Sequence, residues 1–347
     1  NSSGGVRVFS GVDGTQLWEH AGSTVSQGFG FGSGSIAFAE DVDGDGNGDL
    51  IVGSGLASPN GGQSGMAQVF SGATGLLIWS WDGQSPDALF GLAVASAGDV
   101  NGDGRTDILV GEIGDSQTTL GAAYLYSGLD GALLLALQGD ELGDKFGAAV
   151  ACAGDVDGDG TPDIIVGALD SDASGAGSGF ARVFSGASGA ILHTVFGDDA
   201  GDNLGVAVDG IGDVNGDGFA DFLVGADQDD NNGNASGIAR CYSGIDGAIL
   251  YTVEGEVPAA ILGASVAGTG DVSGDGIDDF IVGAMGGGSV GTWSGSARIH
   301  SGSDGSQLQV LEGATAFDQF GMDVAGAGDM NGDGLNDVIV GAPFFGG

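Results

Sequence analysis

The chain has 347 residues, and its 48 acidic residues against six basic ones give a formal net charge of −42. Such a charge disfavours binding to nucleic acid or to anionic lipid surfaces. Apolar residues make up 41% of the chain, enough for a substantial core, and no apolar run approaches the roughly 20 residues of a membrane helix. We therefore expect a soluble protein with neither nucleic-acid binding nor membrane insertion.

The N-terminal segment from Asn1 to about Ala21 predicts two strands joined by the turn SGVDG from Ser10. Short connections that contain Gly and Asp between apolar strands are a typical hairpin signal. The same turn recurs in each later repeat, for example as SGLDG from Ser127. Each of these turns is expected to join the third and fourth strands of a repeated unit.

Each complete repeat predicts four short strands in a fixed order. An alternating strand such as FGLAVASAGD from Phe90 comes first, and an acidic loop separates it from an apolar strand such as ILVGE from Ile108. Such continuous apolar runs are expected where both faces of a strand are buried. A variable polar loop, a third strand, the Ser-Gly turn and a fourth strand such as ALLLALQG from Ala132 complete the repeat.

The acidic loop occurs six times, with successive spacings of 58, 56, 58, 58 and 58 residues. The copies are DVDGDGNGD from Asp41, DVNGDGRTD from Asp99, DVDGDGTPD from Asp155, DVNGDGFAD from Asp213, DVSGDGIDD from Asp271 and DMNGDGLND from Asp329. A strict repeat of this length indicates a modular architecture. Counting from the last copy around the chain ends to the first gives 59 residues, so the period also predicts a closed ring.

We therefore predict an all-β fold, a six-bladed β-propeller of four-stranded antiparallel blades in one domain, residues 1–347. Radial packing is the arrangement that best buries both faces of such repeated sheets. Residues from about 317 to 347 supply only a first and a second strand, whereas residues 1–21 supply only a third and a fourth. The closing blade is expected to be shared between the two termini.

The acidic loops predict calcium as a cofactor, with about six ions in total. Each loop offers oxygen side chains at positions 1, 3, 5 and 9, and its glycines at positions 4 and 6 let the backbone curl around a hard cation. The side chains are Asp41, Asp43, Asp45 and Asp49; Asp99, Asn101, Asp103 and Asp107; Asp155, Asp157, Asp159 and Asp163; Asp213, Asn215, Asp217 and Asp221; Asp271, Ser273, Asp275 and Asp279; and Asp329, Asn331, Asp333 and Asp337.

The six loops differ in their number of carboxylates. Those that begin at Asp41 and Asp155 have four, whereas the others have three, and Ser273 makes the fifth loop the weakest set of donors. Affinity for calcium tends to follow ligand charge and rigidity. The hypothesis is that the first and third loops fill at the lowest calcium concentration and the fifth loop fills last.

An EF-hand or dockerin-type helix pair is the main alternative explanation of these loops. Position 12 carries valine in every copy, for example Val52 and Val110, each followed by glycine (Gly53, Gly111), where an EF-hand carries glutamate. The residues that follow each loop are apolar and often β-branched, and they lack the pattern of an amphipathic helix. The loops are therefore expected to connect strands.

The pairs Phe90-Gly91, Phe146-Gly147 and Phe320-Gly321 each precede an acidic loop and then a Gly-Ala such as Gly167-Ala168. This combination resembles FG-GAP repeats, which build the propeller of integrin α subunits, and the resemblance extends over essentially the whole chain. It implies that the seventh loop residue also binds calcium, through its backbone carbonyl. Those seventh residues are Asn47, Arg105, Thr161, Phe219, Ile277 and Leu335.

Composition and resemblance together predict an extracellular module, secreted or displayed at a cell surface, because extracellular calcium modules bind at roughly 10⁻⁴ to 10⁻³ M. The leading hypothesis is adhesion or recognition of a protein or glycan through the variable loops. The alternative is a structural module that pairs its terminal strands with neighbouring copies in a fibre or tandem array.

Five residues on the variable side are candidates for ligand binding. Trp81 and Trp293 are candidates for stacking on a sugar or a side chain, and the cluster of Asp227, Asp229 and Asp230 for holding a further cation. Packing between blades and a solvated loop are the alternatives for these residues. We expect no enzymatic activity, because the three histidines are dispersed without a repeated acidic or nucleophilic companion.

Overall fold

The computed structural model describes residues 4–22, 28–30, 34–115 and 117–345. Every regular element among these residues is a β-strand, which confirms the predicted all-β class. None of the described residues belongs to a helix long and apolar enough to cross a membrane. Residues 1–3 and 346–347 of the predicted terminal segments lie outside the described residues.

The chain divides into two compact units. The first unit comprises Asn1–Cys152 with Gly186–Gly189, and the second comprises Ala153–Ser185 with Ala190–Gly347. The prediction that residues 1–347 form one domain stays a prediction.

In the first unit the strands follow the predicted order of each repeat. They are β1 (Gly5–Phe9), β2 (Gln16–Ala21), β3 (Ile36–Ala39), β4 (Asp49–Gly53), β5 (Met66–Phe70), β6 (Leu77–Asp82), β7 (Val94–Gly98), β8 (Asp107–Glu112), β9 (Ala122–Tyr126) and β10 (Leu133–Gln138). The next strand, β11 (Phe146–Gly154), contains the division between the units. β3 to β6 and β7 to β10 each form a four-stranded antiparallel sheet in chain order, and β1 pairs with β2.

The second unit continues the same pattern. Its strands are β12 (Asp163–Ala168), β13 (Phe180–Phe184), β14 (Ile191–Phe196), β15 (Ala207–Gly212), β16 (Asp221–Ala226), β17 (Ile238–Tyr242), β18 (Ile249–Glu254), β19 (Leu262–Gly270), β20 (Asp279–Ala284), β21 (Ser296–His300), β22 (Gln307–Glu312), β23 (Asp323–Gly328) and β24 (Asp337–Gly341). β12 to β14 pair in sequence, β15 to β18 and β19 to β22 form four-stranded antiparallel sheets, and β23 pairs with β24.

The second strand of each four-stranded sheet is almost entirely buried. Every residue of β8, β12, β16 and β20 is buried, as their continuous apolar sequences predict. The fourth strands have exposed residues along their length, because they form one edge of each sheet. Burial of both faces therefore places the hydrophobic core between neighbouring sheets.

The cores join residues of successive repeats. In the first unit, Ile51 and Val69 of one sheet pack with Val94 and Ile108 of the next. In the second unit, Leu223 and Cys241 share a cluster with Val266, Phe280 and Val282. Four-stranded antiparallel sheets packed face to face along the chain are consistent with the blades of a β-propeller.

The strands predicted to form the closing blade lie in two two-stranded sheets. Among the described residues, β1 and β2 form one two-stranded sheet, and β23 and β24 form another. β1 and β2 are the third and fourth strands that the sequence predicts for the N-terminal segment. β23 and β24 are the first and second strands that it predicts for the C-terminal segment. The pairing of the two halves, and with it the number of closed blades, stays a prediction.

Candidate metal centres

Each acidic loop folds around the side chain of its first aspartate. In the first loop, Oδ1 of Asp41 accepts hydrogen bonds from the amides of Gly44 and Asp45 at 2.5 and 3.0 Å, and Oδ2 accepts one from Gly46 at 2.9 Å. The two glycines have φ angles of 87° and 86°, a region that favours glycine. Asp213 and Asp329 accept the same three bonds, and Asp271 accepts those from the amides of Gly274 and Gly276.

The ninth aspartate connects the loop to the Ser-Gly turn of the same repeat. Oδ2 of Asp107 accepts a hydrogen bond from the amide of Val100 at 2.9 Å, and Oδ1 accepts one from Gly128 at 3.0 Å. Asp49, Asp221 and Asp279 make the equivalent bonds to Gly72, Gly244 and Gly302. This carboxylate therefore holds together the two connections at one end of the sheet.

Burial changes the acidity of these ninth aspartates. Loss of solvation raises the pKa of Asp107 and of Asp221 from 3.8 to about 6, against the lowering effect of their amide donors. Loss of solvation also raises the pKa of Asp49. A cation next to such a carboxylate would favour its charged form.

Two loops bring their carboxylates together in the manner of a metal site. Oxygens of Asp41, Asp43 and Asp49 all lie within 4.8 Å of one another, and so do oxygens of Asp155, Asp157 and Asp159. These loops are the two with four carboxylates. Clusters of carboxylate oxygens at this separation fit a hard cation.

An oxygen in the third loop also lacks a partner. Oδ1 of Asp155 is shielded from solvent and accepts no hydrogen bond within the described part of the chain, whereas Oδ1 of Asp41 accepts two. A buried anionic oxygen without a partner is unfavourable. The donor set of the third loop therefore fits a cation bound at Asp155.

The remaining predicted ligands occupy the expected loop positions. The aspartate at position 5 of each loop accepts a hydrogen bond from the amide of the residue at position 7, at 2.8 to 3.0 Å. The pairs are Asp45 with Asn47, Asp103 with Arg105, Asp159 with Thr161, Asp217 with Phe219, Asp275 with Ile277, and Asp333 with Leu335. Asn101, Asn215 and Asn331 each accept an amide hydrogen bond at their side-chain oxygen.

Neighbouring loops contact each other directly, which the sequence did not predict. The amide of Ala220 donates to the carbonyl of Asp155 at 2.9 Å, and the amide of Asn336 donates to that of Asp271 at 3.0 Å. Nη1 of Arg105 in the second loop lies 3.5 Å from Oδ2 of Asp41 in the first. A basic residue at loop position 7 was the only sequence signal for this ion pair.

Both candidate tryptophans have contacts within the fold. Trp81 stacks on Tyr126 of the next sheet, with ring centroids 4.5 Å apart, and its Nε1 donates to the carbonyl of Gly131 at 3.1 Å. Trp293 is partly buried in the loop before β21, with φ of 56°, and its carbonyl accepts the amide of Gln319. A role of these tryptophans in ligand binding stays a prediction.

The three aspartates proposed as a further cation site differ in burial. Asp229 is buried and accepts hydrogen bonds from Asn231, Asp227 is partly buried, and Asp230 is exposed. Within the described residues, their carboxylates do not form a group whose oxygens all lie within 4.8 Å. The structure therefore does not bring these three side chains together as one set of ligands.

Comparison with known families agrees with the repeat motifs. The FG-GAP-like repeat family matches residues 99–166, and the FG-GAP repeat family matches residues 262–300 and 320–347. The matched segments contain the second, third, fifth and sixth acidic loops or their flanking strands. These matches confirm the predicted resemblance to FG-GAP repeats.

Integrin α subunits are among its curated relatives. Integrin alpha-V of Gallus gallus is 35% identical over 143 residues, which cover 39% of this chain and 13% of that protein. Integrin alpha-5 of Xenopus laevis is 32% identical over 145 residues, with the same two coverages. Integrin alpha-IIb of Homo sapiens is 34% identical over 163 residues, covering 42% and 15%. The chain therefore matches a small part of each integrin, which confirms the predicted resemblance to integrin α subunits.

Proposed function

We propose that this protein is a non-enzymatic, extracellular recognition or adhesion module, stabilised by calcium, that binds a protein or a glycan. The observation that carries this proposal is the division of each sheet into two different ends. One end holds the acidic loop and the Ser-Gly turn, joined by the ninth aspartate. The other holds loops of variable sequence on a rigid scaffold, where binding residues are often found.

The variable end is itself well ordered by contacts between its loops. Nδ2 of Asn232, in the loop between β16 and β17, donates to the carbonyl of Gly255 at 3.1 Å, in the segment after β18. Nδ2 of Asn60 makes the equivalent bond to Gly83 at 3.0 Å in the first unit. A preorganised surface loses less conformational entropy on binding than a flexible one.

The proposed cofactor is calcium, with six ions in six loops. Side-chain oxygens at positions 1, 3, 5 and 9 and the carbonyl at position 7 would supply the oxygen ligands that calcium prefers. Each ion would screen carboxylates that otherwise repel one another. A site that binds only the folded state adds about 2.7 kcal/mol at a hundredfold excess of calcium over its Kd, so chelation is expected to lower the melting temperature.

The binding proposal is tested by replacing a segment of one repeat with the segment of equal length from another repeat. In one variant, the sequence of residues 169–179 replaces that of residues 227–237 at the variable end. In the control, the turn sequence of residues 185–189 replaces that of residues 243–247. Both variants and the parent are screened in millimolar calcium and in chelator against a glycan array and purified extracellular-matrix proteins.

We expect a probe that binds the parent in calcium, binds the control equally and loses affinity for the variable-end variant. Loss of binding in the control alone would contradict the assignment of the binding face. Failure of a calcium-loaded, folded parent to bind any probe would count against the recognition function.

We further propose that the two terminal half-sheets complete a sixth blade of a closed propeller. Leu50 of β4 lies opposite Phe70 of β5 in a complete sheet, and repeat equivalence would place Val338 opposite Phe9 and Ile339 opposite Val8. The separate two-stranded sheets also favour the second candidate function, in which the halves of different copies pair and assemble a fibre or array.

A cysteine pair distinguishes closure from assembly. Val8→Cys and Ile339→Cys are introduced together in a background with Cys152→Ser and Cys241→Val, replacements that match residues of other repeats. Oxidation to a monomer with an intrachain disulfide would support closure, and covalent dimers or ladders would support assembly. Light scattering over a range of concentrations gives an independent measure of the mass.

A further inference from the structure

In three pairs of neighbouring loops, the side chain at position 7 of one loop lies over the fourth residue of the preceding loop. The ring of Phe219 lies 2.8 Å from the place that a Cβ on Gly158 would take, and Leu335 lies 3.2 Å from that of Gly274. The guanidinium of Arg105 occupies the corresponding place at Gly44. In these three pairs, position 7 therefore brings a side chain of one loop to the proposed cation site of its neighbour.

Arg105 differs from the other residues at this position by its charge. The equivalent residues are Asn47, Thr161, Phe219, Ile277 and Leu335, all of them neutral. Nη1 of Arg105 lies 3.5 Å from Oδ2 of Asp41, and both side chains are 30% exposed. The same Oδ2 accepts the amide of Gly46, so the guanidinium approaches a carboxylate at the centre of the first loop.

We propose that Arg105 is a built-in counter-ion of the first loop, which lowers the calcium affinity of that loop and partly orders it without metal. This inference rests on the proposed binding of calcium. The first loop then fills later than its four carboxylates predict. The third loop has the same number of carboxylates but faces Phe219, so it fills first.

Coulomb's law sets the size of the effect. A unit positive charge about 5 Å from a divalent cation in a largely solvated site weakens binding by about tenfold. The repulsion is screened by salt, so the difference between the first and third loops is expected to narrow at high ionic strength. A purely steric effect of the side chain would not depend on salt in this way.

The test follows each loop separately by hydrogen exchange and mass spectrometry during a calcium titration. Peptides that cover residues 41–49, 99–107 and 155–163 report the calcium concentration at which each loop becomes protected. Arg105→Met removes the charge and keeps an apolar stem of similar length, and Arg105→Lys keeps the charge. Arg105→Met is expected to lower the calcium concentration at which residues 41–49 become protected about tenfold, and to leave that of residues 155–163 unchanged. Arg105→Lys is expected to keep the wild-type value for residues 41–49.

A matched variant transfers the charge to another loop. Phe219→Arg places a guanidinium over Gly158, and it is expected to raise the calcium midpoint of residues 155–163 about tenfold. The proposal is overturned if Arg105→Met leaves the midpoint of residues 41–49 unchanged, or if it shifts only residues 99–107, which would place the effect within its own loop. Absence of calcium protection in every loop of the wild type would refute the proposed calcium binding itself.

Discussion

The carbonyl oxygen of Gly91 lies against the Cα of Gly53, in the place that a Cβ on Gly53 would need. Gly91 belongs to the Phe-Gly pair of one repeat, and Gly53 ends the second strand of the preceding repeat. The amide of Gly91 donates to the carbonyl of Gly111 in its own repeat at 2.9 Å. The Phe-Gly pair of one repeat and the glycine that ends the second strand of the preceding repeat are therefore parts of one contact between successive sheets.

This contact predicts the effect of Gly53→Ala. The same arrangement recurs at Gly111 with Gly147 and at Gly225 with Gly263, and an added methyl group would force neighbouring sheets apart. We expect a loss of about 3 kcal/mol in the free energy of unfolding, measured by urea denaturation. Gly62→Ala is the control, because a Cβ there meets only Oδ1 of Asp87 at 3.7 Å, and its effect should stay within about 0.5 kcal/mol. Equal effects of both variants would contradict the role of the contact.

Much of the sheet structure could be predicted from the sequence, because apolar strands, turns and acidic loops recur at a constant spacing. Side-chain contacts between repeats could not be predicted in the same way. The approach of Arg105 to Asp41 depends on how neighbouring sheets pack, which one repeat considered alone does not specify. Trp81 shows the same limit, since its stacking on Tyr126 is a contact between sheets.

The ninth aspartate predicts a stability effect that does not require calcium. Asp279 is fully buried and accepts hydrogen bonds from the amides of Val272, Ser273 and Gly302 at 2.9 to 3.0 Å. In excess chelator, Asp279→Ala leaves these donors unpaired and is expected to cost about 3 kcal/mol. Thermal and urea unfolding measure this loss.

Asp275→Ala is the matched control within the same loop. Asp275 is exposed and accepts an amide hydrogen bond from Ile277. In chelator this variant is expected to lose no more than about 1 kcal/mol, whereas in calcium both variants should lose the stabilisation from the fifth site. If Asp279→Ala costs no more than Asp275→Ala in chelator, the buried amide bonds of the ninth aspartate do not stabilise the metal-free protein as expected.

A partly buried carboxylate on β15, Asp209, predicts a dependence of stability on pH. Loss of solvation raises the pKa of Asp209 from 3.8 to about 7, although its oxygens accept the amides of Gly268 and Gly210. The folded state therefore binds a proton more tightly than the unfolded state. This contribution to stability is present below about pH 4 and is lost as the pH rises through about 7.

Asp209→Ala removes the titrating carboxyl group and with it the loss of stability at high pH. Other repeats carry alanine at the equivalent position, such as Ala267 and Ala325. The free energy of unfolding of the variant minus that of the wild type should rise by about 2 kcal/mol between pH 5 and pH 8. Urea titrations in chelator at both pH values measure the difference. Asp82→Ala, at an exposed position on β6, is the control, and an equal rise there would contradict the assignment to Asp209.

Gly11 in the turn between β1 and β2 provides a test of ring closure. In complete repeats the corresponding glycine packs against a backbone carbonyl of the acidic loop, as Gly72 does against Gly48 and Gly128 against Thr106. A Cβ on Gly11 meets no other atom of the described chain within 4 Å. If the terminal halves pair as proposed, Gly11 would face the carbonyl of Asn336, and Gly11→Ala would open the sixth blade.

Closure thus predicts that Gly11→Ala destabilises the protein by about 2 to 3 kcal/mol and increases hydrogen exchange in both β1 and β24. Gly62→Ala again serves as the control for an exposed glycine. A variant as stable as the wild type, with unchanged exchange in both strands, would show that the N-terminal hairpin does not complete the sixth sheet within the same chain. Destabilisation that weakens as the protein concentration rises would instead indicate that the hairpin is exchanged between copies.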